Sequence, residues 1–182
     1  MTPETAENGK AIWDWLKNMQ TPRLPAWSDF PDFTLYMDQV ILLLNQYLYP
    51  DEDVRAVTPS MINNYIKSRI IPPSVKKKYS RYHLAGLIMI CILKENVSIA
   101  DIPHLLPHLD SEEGIRQAYE AFSEMYNSSS SDFMQFISDT SKNGFTKNDA
   151  DPEHFVLRLA VAANLSQTLT NRLIRQTEKS AE

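Results

Sequence analysis

Ten consecutive residues, Leu84 to Leu93, carry no charge and no strongly polar side chain: Leu-Ala-Gly-Leu-Ile-Met-Ile-Cys-Ile-Leu. A bilayer span needs about 20 apolar residues, so this run predicts a core element and not a membrane segment. Ser80 stands where a helix N-cap belongs and Asn96 turns the chain. The run therefore reads as a helix over Arg81–Glu95, apolar on all sides and hence enclosed. An enclosed helix requires other elements around it. The 182 residues suffice to provide them, because a domain of about 150 residues hides roughly 70% of its unfolded surface.

The neighbouring segments also read as helices. Glycines number four, and no stretch alternates with period 2 for long. A first helix is expected over Pro3–Met19, with Ile12, Trp13, Leu16 and Met19 on one face. Pro22 and Pro25 break it, and the linker Thr21–Phe33, with Pro31 as its third proline, is expected to run extended over the surface. A helix over Thr34–Leu48 buries Leu35, Val40, Ile41, Leu44 and Leu48. Thr58 and Pro59, as N-cap and first residue, open a short helix that stops at Ser68, ahead of Pro72-Pro73. Ser98 opens another over Ile99–Leu106.

Beyond residue 110, Ser111 caps a helix carrying Ile115, Ala118, Tyr119, Phe122 and Met125. Asn127-Ser128-Ser129-Ser130-Ser131 reads as a loop, followed by a short helix over Asp132–Thr140. The last helix starts at Asp151-Pro152 and reaches Gln176. Its Phe155, Leu159, Ala162, Ser166, Leu169 and Leu173 form a heptad-like seam. The seam reads first as an ordinary core-facing side; the alternative is a dimer helix.

Charge is distributed unevenly. From Val54 to Lys94 there is no Asp or Glu, while Arg55, Lys67, Arg69, Lys76, Lys77, Lys78, Arg81 and Lys94 give that window +8. The other ten bases and all 23 acids leave −13 elsewhere, within an overall −5. An acidic chain is a poor nucleic-acid ligand as a whole, but affinity depends on the bases that reach phosphates. A lysine triplet alone is most simply a solvated face. A 41-residue window without an acid argues for an anionic partner.

Within that window the 58–68 helix has two sides. At about 100° per residue, Met61, Ile62, Tyr65 and Ile66 gather on one, and Ser60, Asn63, Asn64 and Lys67 on the other. An α-helix fits the major groove, where Asn pairs bidentately with adenine N6 and N7 and Lys reaches guanine or phosphate. Any surface helix has a polar side. What distinguishes this one is the basic segment that follows it, Ile70–Arg81, placed as a wing would be to grip the DNA backbone.

The run Val57-Thr58-Pro59-Ser60-Met61-Ile62-Asn63-Asn64-Tyr65 resembles the recognition-helix signature of MerR-type regulators. Ile70-Ile71-Pro72-Pro73 resembles the start of their wing, and Lys77-Lys78-Tyr79-Ser80 its exit. The apolar spacing of Leu84, Leu87, Ile90 and Leu93, then Val97-Ser98-Ile99 and Ile102, resembles their next two helices. The likeness covers Val57–Leu106. Where those regulators usually carry a glycine this chain has Arg69, at a turn that favours a left-handed residue. The wing is shorter, and Tyr49–Ala56 separates the preceding helix from the recognition helix. More widely, Leu35-Tyr36-Met37-Asp38-Gln39-Val40 and Thr58–Lys78 resemble an uncharacterised bacterial family, domain of unknown function 1836.

The resemblance implies a mainly α fold, with a MerR-like winged helix-turn-helix flanked by N-terminal helices and a C-terminal helical region. The expected divisions are 1–33, helix and Pro-rich linker; 34–109, the DNA-binding domain; and 110–182, dimerisation or effector binding. The expected function is sequence-specific binding of double-stranded DNA by a cytoplasmic homodimer, and hence transcription regulation. Ser60, Asn63, Asn64 and Lys67 are expected at base edges or groove-side phosphates. Lys76, Lys77, Lys78 and Arg81 are expected on the backbone. Tyr65 and Tyr79 brace helix and wing with hydroxyls free for a phosphate, which adds Tyr79 to the contact set. His83 is expected at a phosphate or on the exposed side of its helix. The alternative is a protein-interaction module on a helix-turn-helix scaffold that has lost DNA binding.

No enzyme is expected. A Gly-rich phosphate loop is missing, and Cys91, the single cysteine, lies in the apolar run as a small core residue. No cofactor or metal is expected either: His104 and His108 are four apart, but Pro107 interrupts their helix. No basic leader precedes an apolar core at the start, so no secretory signal is expected. A small-molecule effector, if there is one, is expected among Tyr119, Phe122, Tyr126, Phe133, Phe136, Phe145 and Phe155, which otherwise form core.

Overall fold

The computed structural model describes residues 12, 14, 15, 23–49, 57–106, 109–143 and 152–179. Among these the protein is mainly helical, with six bounded α-helices and no strand beyond isolated bridges. They are α1 (Met37–Leu48), α2 (Pro59–Lys67), α3 (Arg81–Leu93), α4 (Ile102–Leu105), α5 (Glu112–Asn143) and α6 (Pro152–Lys179). Ile12, Asp14 and Trp15 are helical; the remainder of the helix expected over Pro3–Met19 lies outside the described residues, as do His108, Phe145 and most of Tyr49–Ala56.

The chain divides into two compact units, Met1–Thr21 with Ser128–Leu169, and Pro22–Asn127 with Thr170–Glu182. In the first, Ile137 and Phe155 are buried, and Phe133 and Phe136 stack with centroids 6.0 Å apart.

The second unit is built around α3. Every residue from His83 to Cys91 is buried, as a helix without a polar side demands. Helix α1 packs on both α3 and α2, contributing Val40 and Leu44. Ile70 and Ile71, between α2 and α3, are buried in the same core. Gly86 permits the closest approach: a Cβ there would stand 2.8 Å from Ile71 Cγ2.

Helix α1 starts at Met37 and not at Thr34, because Leu35 pairs with Tyr79 instead, and four further elements differ from the sequence expectation. The Pro-rich linker is not a surface strand. Leu24 and Phe30 are buried, a 3₁₀ turn covers Trp27–Asp29, and the rings of Trp27, Phe30 and Tyr119 pack together. The prolines do not keep the apolar residues between them out of the core. This strap is tied down by Tyr119, whose hydroxyl donates to the Pro25 carbonyl at 2.8 Å.

Secondly, α5 runs unbroken through the serine tract. Serine is a middling helix former, no Gly or Pro lies between Ile115 and Asn143, and an established helix propagates at one hydrogen bond per residue. Asn127 starts no loop. Its side chain accepts from Leu24 N–H at 2.9 Å and donates to Leu24 O at 3.2 Å.

Thirdly, α4 begins only after Asp101, because the Ser98 hydroxyl and carbonyl both accept from Asp101 N–H and close a turn first. Finally, the seam of α6 is not core. Phe155 is buried, but Leu169 and Leu173 are more than half exposed, as are Val156, Leu157, Val161 and Leu165.

Gly86→Ala tests the α3 packing. In an open helix this change stabilises by roughly 1 kcal/mol. Here the methyl must displace Ile71, and overpacking of a filled core costs about 1–3 kcal/mol, so a lower urea midpoint with unchanged m-value is expected.

Candidate functional site

Helix α2 forms as its sequence dictates. The Thr58 side chain caps it, accepting from Met61 N–H at 3.3 Å, and Pro59 occupies the first turn. Its C-terminus is a Schellman closure: Arg69 N–H donates to Ile66 O at 3.0 Å and Ile70 N–H to Tyr65 O at 3.4 Å. That closure needs a left-handed residue, and Arg69 has φ 55°. The position where a glycine is expected is thus left-handed, with an arginine in it.

The two sides of α2 are as the periodicity implies. Ile62 and Tyr65 are buried, whereas Ser60, Asn63, Asn64 and Lys67 are exposed together. Two contacts hold the helix in place. Val57 N–H donates to Asn45 Oδ1 of α1 at 2.7 Å. Tyr65 is buried in the same core cluster as Cys91 of α3. Burial raises the Tyr65 hydroxyl well above its usual pKa and pushes the Cys91 thiol up to about 12, so both stay neutral. The Tyr65 hydroxyl is therefore committed to the interior.

After Pro73 the chain reverses in a two-residue hairpin. Val75 N–H donates to Lys78 O at 3.2 Å and Lys78 N–H to Val75 O at 2.9 Å. Both central residues are left-handed, Lys76 with φ 51° and Lys77 with φ 63°. This is the geometry of a type I′ turn, for which Asn-Gly is the usual choice. Each lysine costs roughly 1–2 kcal/mol in this conformation. Lys76, Lys77 and Lys78 are all exposed.

The hairpin is anchored from behind. Leu35 and Tyr79 exchange backbone hydrogen bonds of 2.7 and 2.8 Å. Tyr79 is 4% exposed with its ring edge-on to His83, so it braces the hairpin and leaves the expected contact set. His83 is neither at the surface nor free for a phosphate. Its Nδ1 accepts from Ser80 N–H at 3.0 Å, and Nε2–H is left to donate to the Pro73 carbonyl at 3.4 Å. Burial lowers its pKa; the Pro73 carbonyl and the charge of Glu112 oppose this in part. The imidazole thus joins the start of α3 to the base of the hairpin in one tautomer. Arg81 is half-buried, its guanidinium 5.9 Å above the Trp27 ring.

All nine expected contact residues lie in one compact unit, on a segment without an acid from Val57 to Arg81. Lys67 and Lys76 are nine residues apart, which bounds their separation at roughly 30 Å. Sequence reasoning did not find the ring under Arg81, the inward histidine or the left-handed lysines. No sequence signal marked the last, since positive φ is announced by Gly or Asn and neither stands there.

Of the seven expected effector aromatics, Tyr119, Phe122 and Phe155 are buried. Phe122 lines a groove of about 560 Å³ together with Leu105, Leu106, Ala118 and Met125.

A family model described as Domain of unknown function (DUF1836) matches residues 25–128. No curated protein and no solved structure matches the chain.

Two measurements probe this geometry. With its folded pKa below the ordinary 6.5, His83 resists protonation in the native state but not in the unfolded one. Its contribution is complete above about pH 6.5 and is lost as the pH falls below that value. Denaturation midpoints should drop between pH 7 and 5.5, and His83→Gln should flatten that slope while lowering stability at pH 7. Replacing Lys76-Lys77 by Asn-Gly should raise stability by about 1 kcal/mol, since both new residues accept φ > 0.

Proposed function

The chain belongs to the DUF1836 family, and from that footing we propose that it is a sequence-specific double-stranded-DNA-binding regulator of transcription, built on a MerR-like winged helix-turn-helix. Helices α1 and α2 serve as the helix-turn-helix pair and the Val75–Lys78 hairpin as the wing. The observation that carries this reading is the joint exposure of Ser60, Asn63, Asn64 and Lys67 on one side of α2 and of three lysines on the hairpin, with no acid between them. The hydrogen-bonding side of α2 suits base edges, and the lysine tip suits phosphates.

A second copy is expected on α6. Its exposed Val161, Leu165 and Leu169 are spaced by four, close enough at about 100° per residue to share one side of the helix. A two-fold axis at Leu165 pairs Val161 with Leu169, the self-complementarity that an isologous interface requires. An effector has room in the Phe122 groove, which falls in the size range of small-molecule pockets. Among the described residues no helix is long and apolar enough to cross a membrane.

Exposed Phe33, Tyr36 and Leu42, at and before α1, favour a second reading, a protein-interaction module. Salt separates the two. Binding through phosphates falls with salt at about −0.9 in log–log slope per phosphate; an apolar interface does not. Replacing Lys76, Lys77 and Lys78 together by Ala should weaken binding to all duplexes alike and flatten the slope. Asn63→Ala and Asn64→Ala should erode sequence preference by about 1–3 kcal/mol per lost base contact. The Asn-Gly hairpin variant, more stable than the parent, should nonetheless bind DNA less tightly. A triple-lysine variant that binds like the parent would overturn the wing assignment.

A further inference from the structure

Leu35 and Tyr79 are paired antiparallel, so the next residues, Tyr36 and Lys78, stand directly opposite one another. The Lys78 Nζ lies 5.8 Å from the centroid of the Tyr36 ring. Tyr36 is held there from both sides. Its N–H donates to Gln39 Oε1 at 2.9 Å at the start of α1, and the Leu35 bridge precedes it. Arg81 rests on Trp27 of the strap in the same manner.

We propose that Tyr36 is a positioning residue for nucleic-acid binding, its ring fixing the ammonium of Lys78 where the hairpin meets a phosphate. The proposal rests on the DNA-binding reading above. A free lysine is a flexible point charge that loses much rotamer freedom on docking. A ring attracts a cation placed over its face, and a side chain already held loses less on binding. Tyr36 acts through Lys78 and not by touching DNA itself, since it is the ammonium that meets the phosphate. The segment from the strap to the start of α1 thereby supplies a ring to each of two cations, Trp27 to Arg81 and Tyr36 to Lys78.

The test uses the full-length protein with Tyr36→Phe, Tyr36→Leu and Lys78→Ala. NMR of the lysine side chains, without DNA, reads the ring directly. The Lys78 methylene protons nearest the ammonium should be shifted upfield by the ring, as before in Tyr36→Phe and no longer in Tyr36→Leu. Affinity for a mixed-sequence duplex should fall about two- to fivefold in Tyr36→Leu and recover in Tyr36→Phe. The salt slope should stay at the parent value in Tyr36→Leu, because no charge is removed, and flatten by about 0.9 in Lys78→Ala. An unshifted Lys78 in the parent, or a Tyr36→Leu variant with full affinity, overturns the positioning role. A shifted Lys78 in a parent that binds no DNA upholds the cation–ring placement and instead sinks the DNA reading and the role built on it.

Discussion

Enclosing α3 is the constraint on which the rest of the second unit depends. A helix with nine consecutive buried residues has no side to give to water, so its neighbours must cover every direction. Several of these contacts also shape the candidate site. Tyr65 of α2 is buried in one cluster with Cys91, Ile71 packs on Gly86, and His83 carries the base of the hairpin on the first turn of α3. The surface elements are therefore not appended to a finished core. They are its outer layer, and their placement follows from filling the space around one apolar rod.

The local parts of this arrangement were legible in the sequence because each rests on a short-range rule. Thr58-Pro59 starts a helix, Ser80 starts another, and a 3.6-residue period separates Asn63 and Asn64 from Ile62 and Tyr65. Legibility ended where a distant partner decided the outcome. The strap residues Leu24 and Phe30 are buried because Asn127 and Tyr119, about a hundred residues away, bind the backbone between and beside them. The serine tract stays helical because nothing within it stops a helix already begun, which a loop-like composition conceals. The exposure of Leu165 and Leu169 is equally invisible to periodicity, which marks an apolar side without saying what covers it.

The candidate site shows the same division. Its residues were identified individually, but what lies under them was not. Tyr79 and His83 sit among exposed cations in the sequence, yet both point inward, since a two-residue hairpin needs a buried anchor and a buried start to the next helix. The rings beneath Lys78 and Arg81 come from Tyr36, which follows the Leu35–Tyr79 bridge, and from Trp27, which packs on Phe30, Tyr82 and Tyr119.

The hairpin tip is where stability and charge pull in opposite directions. Two adjacent residues with positive φ would be relaxed as Asn-Gly, and lysine there is unfavourable for both the turn and the mutual repulsion of neighbouring ammonium groups. No carboxylate within the Val57–Arg81 segment offsets that repulsion locally. The side chains are solvent-exposed and contribute little to packing. What the pair does supply is two positive charges on an exposed turn, held by reciprocal backbone hydrogen bonds and braced through Tyr79. Under the proposed DNA-binding function that strain has a use: a duplex backbone, with a phosphate every few ångströms, would meet the displayed charge from outside, beside the exposed polar side of α2.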